Sequence, residues 1–373
     1  MFDSIRGRVA AGATLLFGAL LGQGAAAQTT YTVTTIGLLP GCVAGAANNL
    51  NDQGVVVGQC WTQNLSQSTG FVWKNGVLTS TGKLPKGTYS QATAVNTAGT
   101  VAGEGDSGSA AMLGWVRSNG SLLNFFSNNG GLTRVLHIAD NGTIGGRYTS
   151  SQGGWVASGK GALWQPEAKD PRKYRKIILP ILPGGIDPKT SYAFPNAFNQ
   201  QGEAAGYGVN DQLVNQHAVL WKNDALHSIV DLGTGIEGLN ATANGMNDIG
   251  QVVGEANNGS VSQPVLWDND AGHTPSVLPP LPGDDGGYAL DINNQGAVLG
   301  TSIDFDWSVN AVAQARATVW QDGVPQELQA ALDPLSGAGV VLTEVRALNN
   351  AGQIVGTAVI GGQTRAVLLT PEP

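Results

Sequence analysis

The side chains that could do chemistry are sparse in this sequence, and their spacing argues for recognition more than for reaction. The four histidines (His137, His217, His227 and His273) form no His-x-x-x-His and pair with no cysteine, so zinc-ligand spacing does not occur. Gly105-Asp106-Ser107-Gly108 echoes a serine-protease nucleophile loop, but His137 follows it and the repetitive surroundings belong to another scaffold. Asp268-Asn269-Asp270-Ala271-Gly272 and Asp304-Phe305-Asp306 have the short alternation of a Ca²⁺ loop without its distal glutamate. The Ser-x-Asp-x-Gly-x-Thr-Trp box of sialidases is missing as well. We therefore assign no catalytic residue, no metal and no cofactor.

What remains suits binding. Phe305, Asp306 and Trp307 put two aromatic rings beside carboxylates, a combination that stacks on sugar faces and bonds hydroxyls, or anchors a protein partner. The alternative is that both rings pack onto their own sheet. Tyr89, Tyr192 and Tyr288 recur at one position of a repeat and either ring a pocket mouth or fill space. Lys169, Arg172, Lys173, Arg175 and Lys176 concentrate positive charge, which fits contact with an anionic surface such as lipopolysaccharide or an acidic glycan, or a plain solvated loop. Cys42 and Cys60 are the only cysteines; in an oxidising compartment they pair with each other or stay as buried thiols.

The elements that position these residues are repetitive. Asn-x-x-Gly-x-x-x-Gly begins at Asn51, Asn96, Asn199, Asn247, Asn293 and Asn349, with a degenerate copy at Ala139, and the first glycines recur every 43 to 60 residues. An apolar stretch ending in tryptophan follows six copies, at Trp73, Trp115, Trp164, Trp221, Trp267 and Trp320, and Leu/Pro/Gly links recur between copies. Each unit reads as four strands: a short strand a, a glycine turn, a Val/Ile strand b, a tryptophan strand c and a strand d. Runs such as Val55-Val56-Val57 do not alternate apolar with polar, so both faces of those strands must be buried. Four strands per period of about 50 residues match one blade of a β-propeller.

The predicted architecture is all-β: a seven-bladed propeller of four-stranded antiparallel blades. The seventh copy stops after strand c at Leu369, while Tyr31 to Leu38 is a strand d without its own a, b and c. The N-terminal strand is therefore expected to complete the last blade and close the ring. The a–b and c–d turns share one face, and the b–c and d–a loops share the other. The b–c connections vary most in length, which marks that face as the functional one, and the longest of these loops, Thr301 to Gln314, carries Phe305, Asp306 and Trp307. The basic segment falls in a c–d insertion of the third blade, on the opposite face, and His217 is expected to hydrogen-bond between blades.

These repeats resemble the HAF-repeat family of probable extracellular repeat proteins. The likeness covers nearly all of residues 31–369 and is nearest at Gln216-His217-Ala218-Val219-Leu220-Trp221. It implies export and repetition and names no reaction. Pro371-Glu372-Pro373 looks like the start of a sorting tail found in some members, without the hydrophobic helix and basic end that would follow.

Composition sets the outer bounds. With 54 glycines, 12% charged and 42% hydrophobic residues among 373, the chain is neither disordered nor a helical bundle. A net charge of −8 argues against a nucleic-acid partner. Arg6 and Arg8, the apolar Val9 to Leu21 and Ala25-Ala26-Ala27 read as a secretory signal over residues 1–27, cleaved before Gln28. Residues 28–373 then form one propeller domain, secreted or periplasmic, monomeric and with no membrane-spanning segment after cleavage. The expected function is binding of a glycan or protein partner through the b–c/d–a face. The alternative is a polysaccharide-cleaving enzyme, lyase or glycosidase, working at the channel mouth.

Overall fold

The computed structural model describes residues 28–373 apart from 64, 109–111, 119, 125–131, 150–158, 185–190, 211, 213–214, 237–239 and 258–260. Residues 1–27, the expected secretory signal, lie outside the described residues. Seven antiparallel four-stranded sheets stand around a central channel. The molecule is a seven-bladed β-propeller.

In the first six blades the strands run outward in chain order, as in blade 1: Cys42–Leu50, Val56–Thr62, Ser68–Lys74 and Val77–Gly82. Blade 7 takes its inner three strands from Val340–Leu348, Ile354–Ile360 and Gln363–Pro371, and its outer strand from Tyr31–Thr35. The pairing runs from Tyr31 opposite Pro371 to Thr35 opposite Val367, so the termini seal the ring as the repeat phase predicts. Tyr31 is buried with Leu299 and Leu328 of blade 6, while Ile36, just beyond the strand, is buried with Val56 and Phe71 of blade 1.

The Asn-x-x-Gly turn does more than reverse the chain. In blade 6 the Asn293 carboxamide oxygen accepts the N–H groups of Gln295 and Ala297 (3.1 and 2.9 Å), which shapes the turn. Its Nδ2 donates to the Asn349 carbonyl of blade 7 at 3.1 Å. The same reach to the next blade is made by Asn51, Asn96, Asn199, Asn247 and, across the seam to Asn51, Asn349. Only an amide, with an acceptor and a donor on one carbon, can do both. The following residue adds a second clasp: the backbone N–H of Gln200, Asp248, Asn294 and Asn350 each donates to the side chain at the same position one blade on.

Blade 3, with Ala139, cannot make the first clasp. Asp140 N–H still reaches Gln200, but a cavity of about 120 Å³, lined by Ala139 and Asn199, remains between blades 3 and 4. Ala139→Asn is expected to fill it and to raise stability by about 1 kcal/mol. Asn293→Ala is expected to cost about 2–3 kcal/mol, since it breaks three bonds at once, two of them buried. Urea midpoints read both; an unchanged midpoint for Asn293→Ala would reduce the clasp to decoration.

The two glycines of each copy have different duties. The first takes the left-handed conformation at the turn, as Gly296 does with φ +80°. The second lets two strands approach: a Cβ at any of the seven would stand 1.9–2.2 Å from a strand-a carbonyl oxygen. The strand-c ring leans over the same spot, within 2.9 Å of that Cβ position at Gly300. Trp115, Trp164, Trp221, Trp267 and Trp320 are buried between blades. Trp115, however, pairs with Gly103, as Phe71 pairs with Gly58, whereas Trp164 pairs with Ile144. It stands in the place of Phe71, two residues earlier than the common tryptophan, which accounts for the shortest glycine-to-tryptophan spacing.

Candidate functional site

Every strand a carries a β-bulge at one position: Asn48, Thr93, Leu136, Asn196, Asn244, Leu290 and Arg346 are the residues left without a partner in the ladder. A bulge turns one extra side chain toward the channel, and all but Thr93 line both of the two cavities that fill it. They form a waist. Asn48, Asn196 and Asn244 are committed there to the next blade, each donating to an alanine carbonyl at 2.7–3.0 Å.

On the a–b side of the waist lies a cavity of about 470 Å³, lined by the Asn-x-x-Gly turns and by His137 and Asp291. Burial pushes His137 down from 6.5 to about 4, against the pull of Asp248 and Asp140. Burial pushes Asp291 up from 3.8 to about 6, although its carboxylate accepts the Leu348 and Ile292 N–H groups at 2.8 and 2.9 Å. The signs oppose. Neutral His137 stabilises the fold above about 6.5, and that contribution is lost as pH falls toward 4. Protonated Asp291 stabilises below 3.8, and that contribution is lost as pH rises through 6. Relative to wild type, Asp291→Asn should therefore gain stability from pH 4 to 6, and His137→Phe should gain as pH falls over 6.5 to 4. Chemical denaturation across that range checks both; parallel profiles would end the assignment.

The b–c/d–a side holds the larger cavity, about 640 Å³. Its polar wall comes from paired positions of strands a and b: Gln91 opposite Glu104, Tyr288 opposite Thr301, and Gln59 with Arg134 and Glu344 at the corresponding places. Glu104 is 1% exposed and accepts from Gln91 Nε2 (2.5 Å), Arg134 Nη1 (2.8 Å) and the Val135 N–H (3.3 Å). Burial raises its pKa, and the Arg134 guanidinium is the main opposing influence. Across the mouth Glu344 and Arg346 pair at 2.6 Å.

The tyrosines divide. Tyr288 lines this cavity. Tyr89 stands behind it, its hydroxyl donating to Gln59 Oε1 at 3.3 Å, and burial together with Glu104 pushes it up to about 12. Tyr192 is not brought to the mouth. It packs with Phe194 and Tyr207 at 5.3 and 6.4 Å, and those two rings hold the Arg147 guanidinium.

The stretch expected as the longest b–c loop is a projecting β-hairpin instead. Strands b and c of blade 6 extend to Val298–Asp306 and Ala311–Gln321, because their pairing continues past the point where strand a ends. Phe305 and Trp307 meet edge to face at 4.8 Å, and Asp285 holds both, from the Phe305 N–H (2.8 Å) and Trp307 Nε1 (3.2 Å). Trp307 keeps 58% of its surface exposed. The Asp306 carboxylate is spent on the hairpin turn, accepting from Ser308 N–H and Oγ at 2.8 and 2.6 Å.

The basic segment is likewise not a loop insertion. Ala168 and Lys169 alone make the turn, and Asp170–Ile178 is the outermost strand of blade 3. Arg172 pairs with Asp170 (3.0 Å), Arg175 donates to Gln165 (2.8 Å), and Lys176 lies 3.9 Å over the Tyr148 ring. Lys173 is exposed. Charge along an exposed edge strand discourages pairing with a second sheet, which explains the cluster without a ligand. His217 bonds within its blade, to Asp231 at 2.8 Å, since both residues belong to adjacent strands. Asp106, from the protease-like stretch, accepts the N–H groups of Tyr89, just before strand a, and of Gly108 in its own turn, and Asp270 accepts those of Gly272 and Thr274 in its own loop. Cys42 and Cys60 are joined, with Cα atoms 5.8 Å apart, tying strand a of blade 1 to strand b.

Gln59, Gln91, Glu104, Arg134, Glu344 and Arg346 carry no motif that marks them in the sequence. A weaker signal exists. The residue five before each repeat Asn, or before Ala139, is Ala46, Gln91, Arg134, Phe194, Thr242, Tyr288 and Glu344 in turn, and four of these, Gln91, Arg134, Tyr288 and Glu344, line the mouth.

No protein-family model and no curated protein matches the sequence. The structure is similar to a YCF48 bound to a D1 peptide, with 12% identity, 92% of this chain and 97% of that one covered, and a TM-score of 0.53. It is similar to the β-propeller domain of the trilobed protease from Pyrococcus furiosus, which has an open velcro topology (10% identity, 88% and 95% covered, TM-score 0.52). An acylaminoacyl peptidase in complex with a chloromethyl ketone shares 9% identity over 88% of this chain and 51% of its own, with a TM-score of 0.51. At these identities the likeness is one of fold. Among the described residues, no helix is long and apolar enough to cross a membrane.

Proposed function

We propose that this propeller is an exported glycan-binding protein whose site is the b–c/d–a mouth of the channel. The observation that carries it is the 640 Å³ cavity walled by amide, hydroxyl, carboxylate and guanidinium groups, with Tyr288 as an aromatic face. Such a wall matches the hydroxyl-rich edge of a saccharide, and a peptide anchor would want an apolar pocket there. The exposed Trp307 on the blade 6 hairpin offers a second stacking face at the rim. The Cys42–Cys60 disulfide supports an oxidising compartment.

Binding accounts for the mouth better than cleavage does. Tyr89 is held protonated to about 12, so near neutrality it keeps its proton and does not take one as a lyase base must. Glu104 already accepts from three donors and is buried.

The test is a glycan array on the purified chain, followed by calorimetry and by reducing-end and unsaturated-product assays on the same polysaccharides. The expected result is binding without turnover, weakened at least ten-fold by Tyr288→Ala. Turnover abolished by variants at the mouth would overturn the reading, and so would binding that Tyr288→Ala leaves unchanged.

A further inference from the structure

Four charged side chains line the b–c/d–a mouth, and they are not equivalent. Glu104 is buried and is already engaged by three donors, Gln91, Arg134 and the Val135 N–H. It cannot serve a ligand. Arg134 gives one nitrogen to Glu104 and no other bond among the described residues, and its side chain keeps 56% of its surface. Arg346 gives one nitrogen to Glu344 and keeps 51%. A guanidinium has five N–H donors in a fixed fork, so each arginine is oriented by a carboxylate and still presents an unsatisfied edge. The two stand in blades 3 and 7, nearly opposite each other, with blades 1 and 2 between them on one side and blades 4 to 6 on the other.

Hydrogen-bond supply around them is skewed the same way. Gln59 Oε1 is already occupied by Tyr89 and Thr343 donates to the Thr357 carbonyl, which leaves Glu344 as the one half-exposed carboxylate. Among the charged groups of the wall, two half-exposed guanidiniums offer donors against the one half-exposed carboxylate that offers acceptors. A neutral sugar needs both in similar number, whereas an oxyanion needs donors alone.

We propose that the mouth selects acidic saccharides, with the carboxylate of a uronic acid received by Arg134 and a second charge along the chain received by Arg346. This rests on the glycan reading above and narrows it to uronate-bearing chains. Glu104 acts as the positioning residue: it fixes the Arg134 fork, and its burial keeps water from competing for that nitrogen.

The experiment titrates the purified chain, at two salt concentrations, with a hexamer of galacturonate, a hexamer of mannuronate and the carboxyl-reduced neutral form of each. At least one acidic hexamer is expected to bind ten-fold or more tightly than its reduced form, with affinity falling as salt rises. Arg134→Gln and Arg346→Gln should each weaken the acidic hexamer at least ten-fold more than they weaken its reduced form. Arg346 sits at the half-exposed surface, so its variant reads the site even where Arg134→Gln unsettles the fold by stranding Glu104. Equal binding of acidic and reduced hexamers overturns the uronate proposal and leaves the glycan reading standing. Binding of neither hexamer, with capture instead of peptides by their C-terminal carboxylate, overturns both.

Discussion

Gly300→Ala is expected to unfold this protein, or to leave it folded with at least about 3 kcal/mol less stability, while Gly296→Ala four residues earlier should cost only about 1–2 kcal/mol. The two glycines belong to one repeat and look alike in sequence. At Gly300 a methyl group would stand 2.2 Å from the Tyr288 carbonyl oxygen and 2.9 Å from the Ala289 Cα and the Trp320 ring. The first two obstacles are backbone, so no rotamer change relieves them. Strands a and b would have to separate, and with them the wall that carries Tyr288 and Thr301. At Gly296 nothing lies within 4 Å of the added carbon, and the only cost is a left-handed backbone at φ +80°. Guanidinium denaturation of both variants decides the matter; a Gly300→Ala protein within 1 kcal/mol of wild type would remove close approach as the reason for the second glycine.

Deleting Tyr31 to Leu38 should be still more damaging. Blade 7 would lose its outer strand, and the ring would lose the covalent link by which its first and last repeats share a sheet. Tyr31 and Ile36 are 3% and 0% exposed, and each fills an interface with a neighbouring blade. Burial of two such side chains contributes about 3–6 kcal/mol. The five paired positions of the ladder go as well, and the strand Gln363–Pro371 becomes an exposed apolar edge open to aggregation. Native domains are stable by about 5–15 kcal/mol, so the deletion consumes most of the margin. Ile36→Ala is the gentler probe, expected to cost about 2–5 kcal/mol. A thermal midpoint unchanged by the deletion would refute closure through this strand.

Both predictions concern residues that the repeat pattern already marks. The Asn and Gly positions recur because each blade must solve the same backbone problem, and a backbone problem leaves few residue types that solve it. Even so, only the folded chain separates the two glycines, since positive φ and close approach both select glycine. Misreadings cluster where more than one local structure fits. Thr301 to Gln314 reads as a loop because its length exceeds that of its counterparts, yet continued cross-strand pairing makes it a hairpin. Lys169 to Lys176 reads as a loop because it is charged, yet an edge strand is charged too.

The number of blades, the four strands in each, the seam at Tyr31 and the chemical kind of the a–b turns are all written in the order of residues. Those are properties of short-range patterns repeated seven times, and repetition makes a weak local signal strong. Which side chains meet is settled one level higher, by the closed ring. Gln91 and Glu104 face each other in the a–b ladder of blade 2, but Arg134, 30 residues beyond Glu104, belongs to blade 3 and reaches it only because neighbouring blades stand side by side around the axis. Convergence on an axis is a property of the ring, and no single repeat contains it.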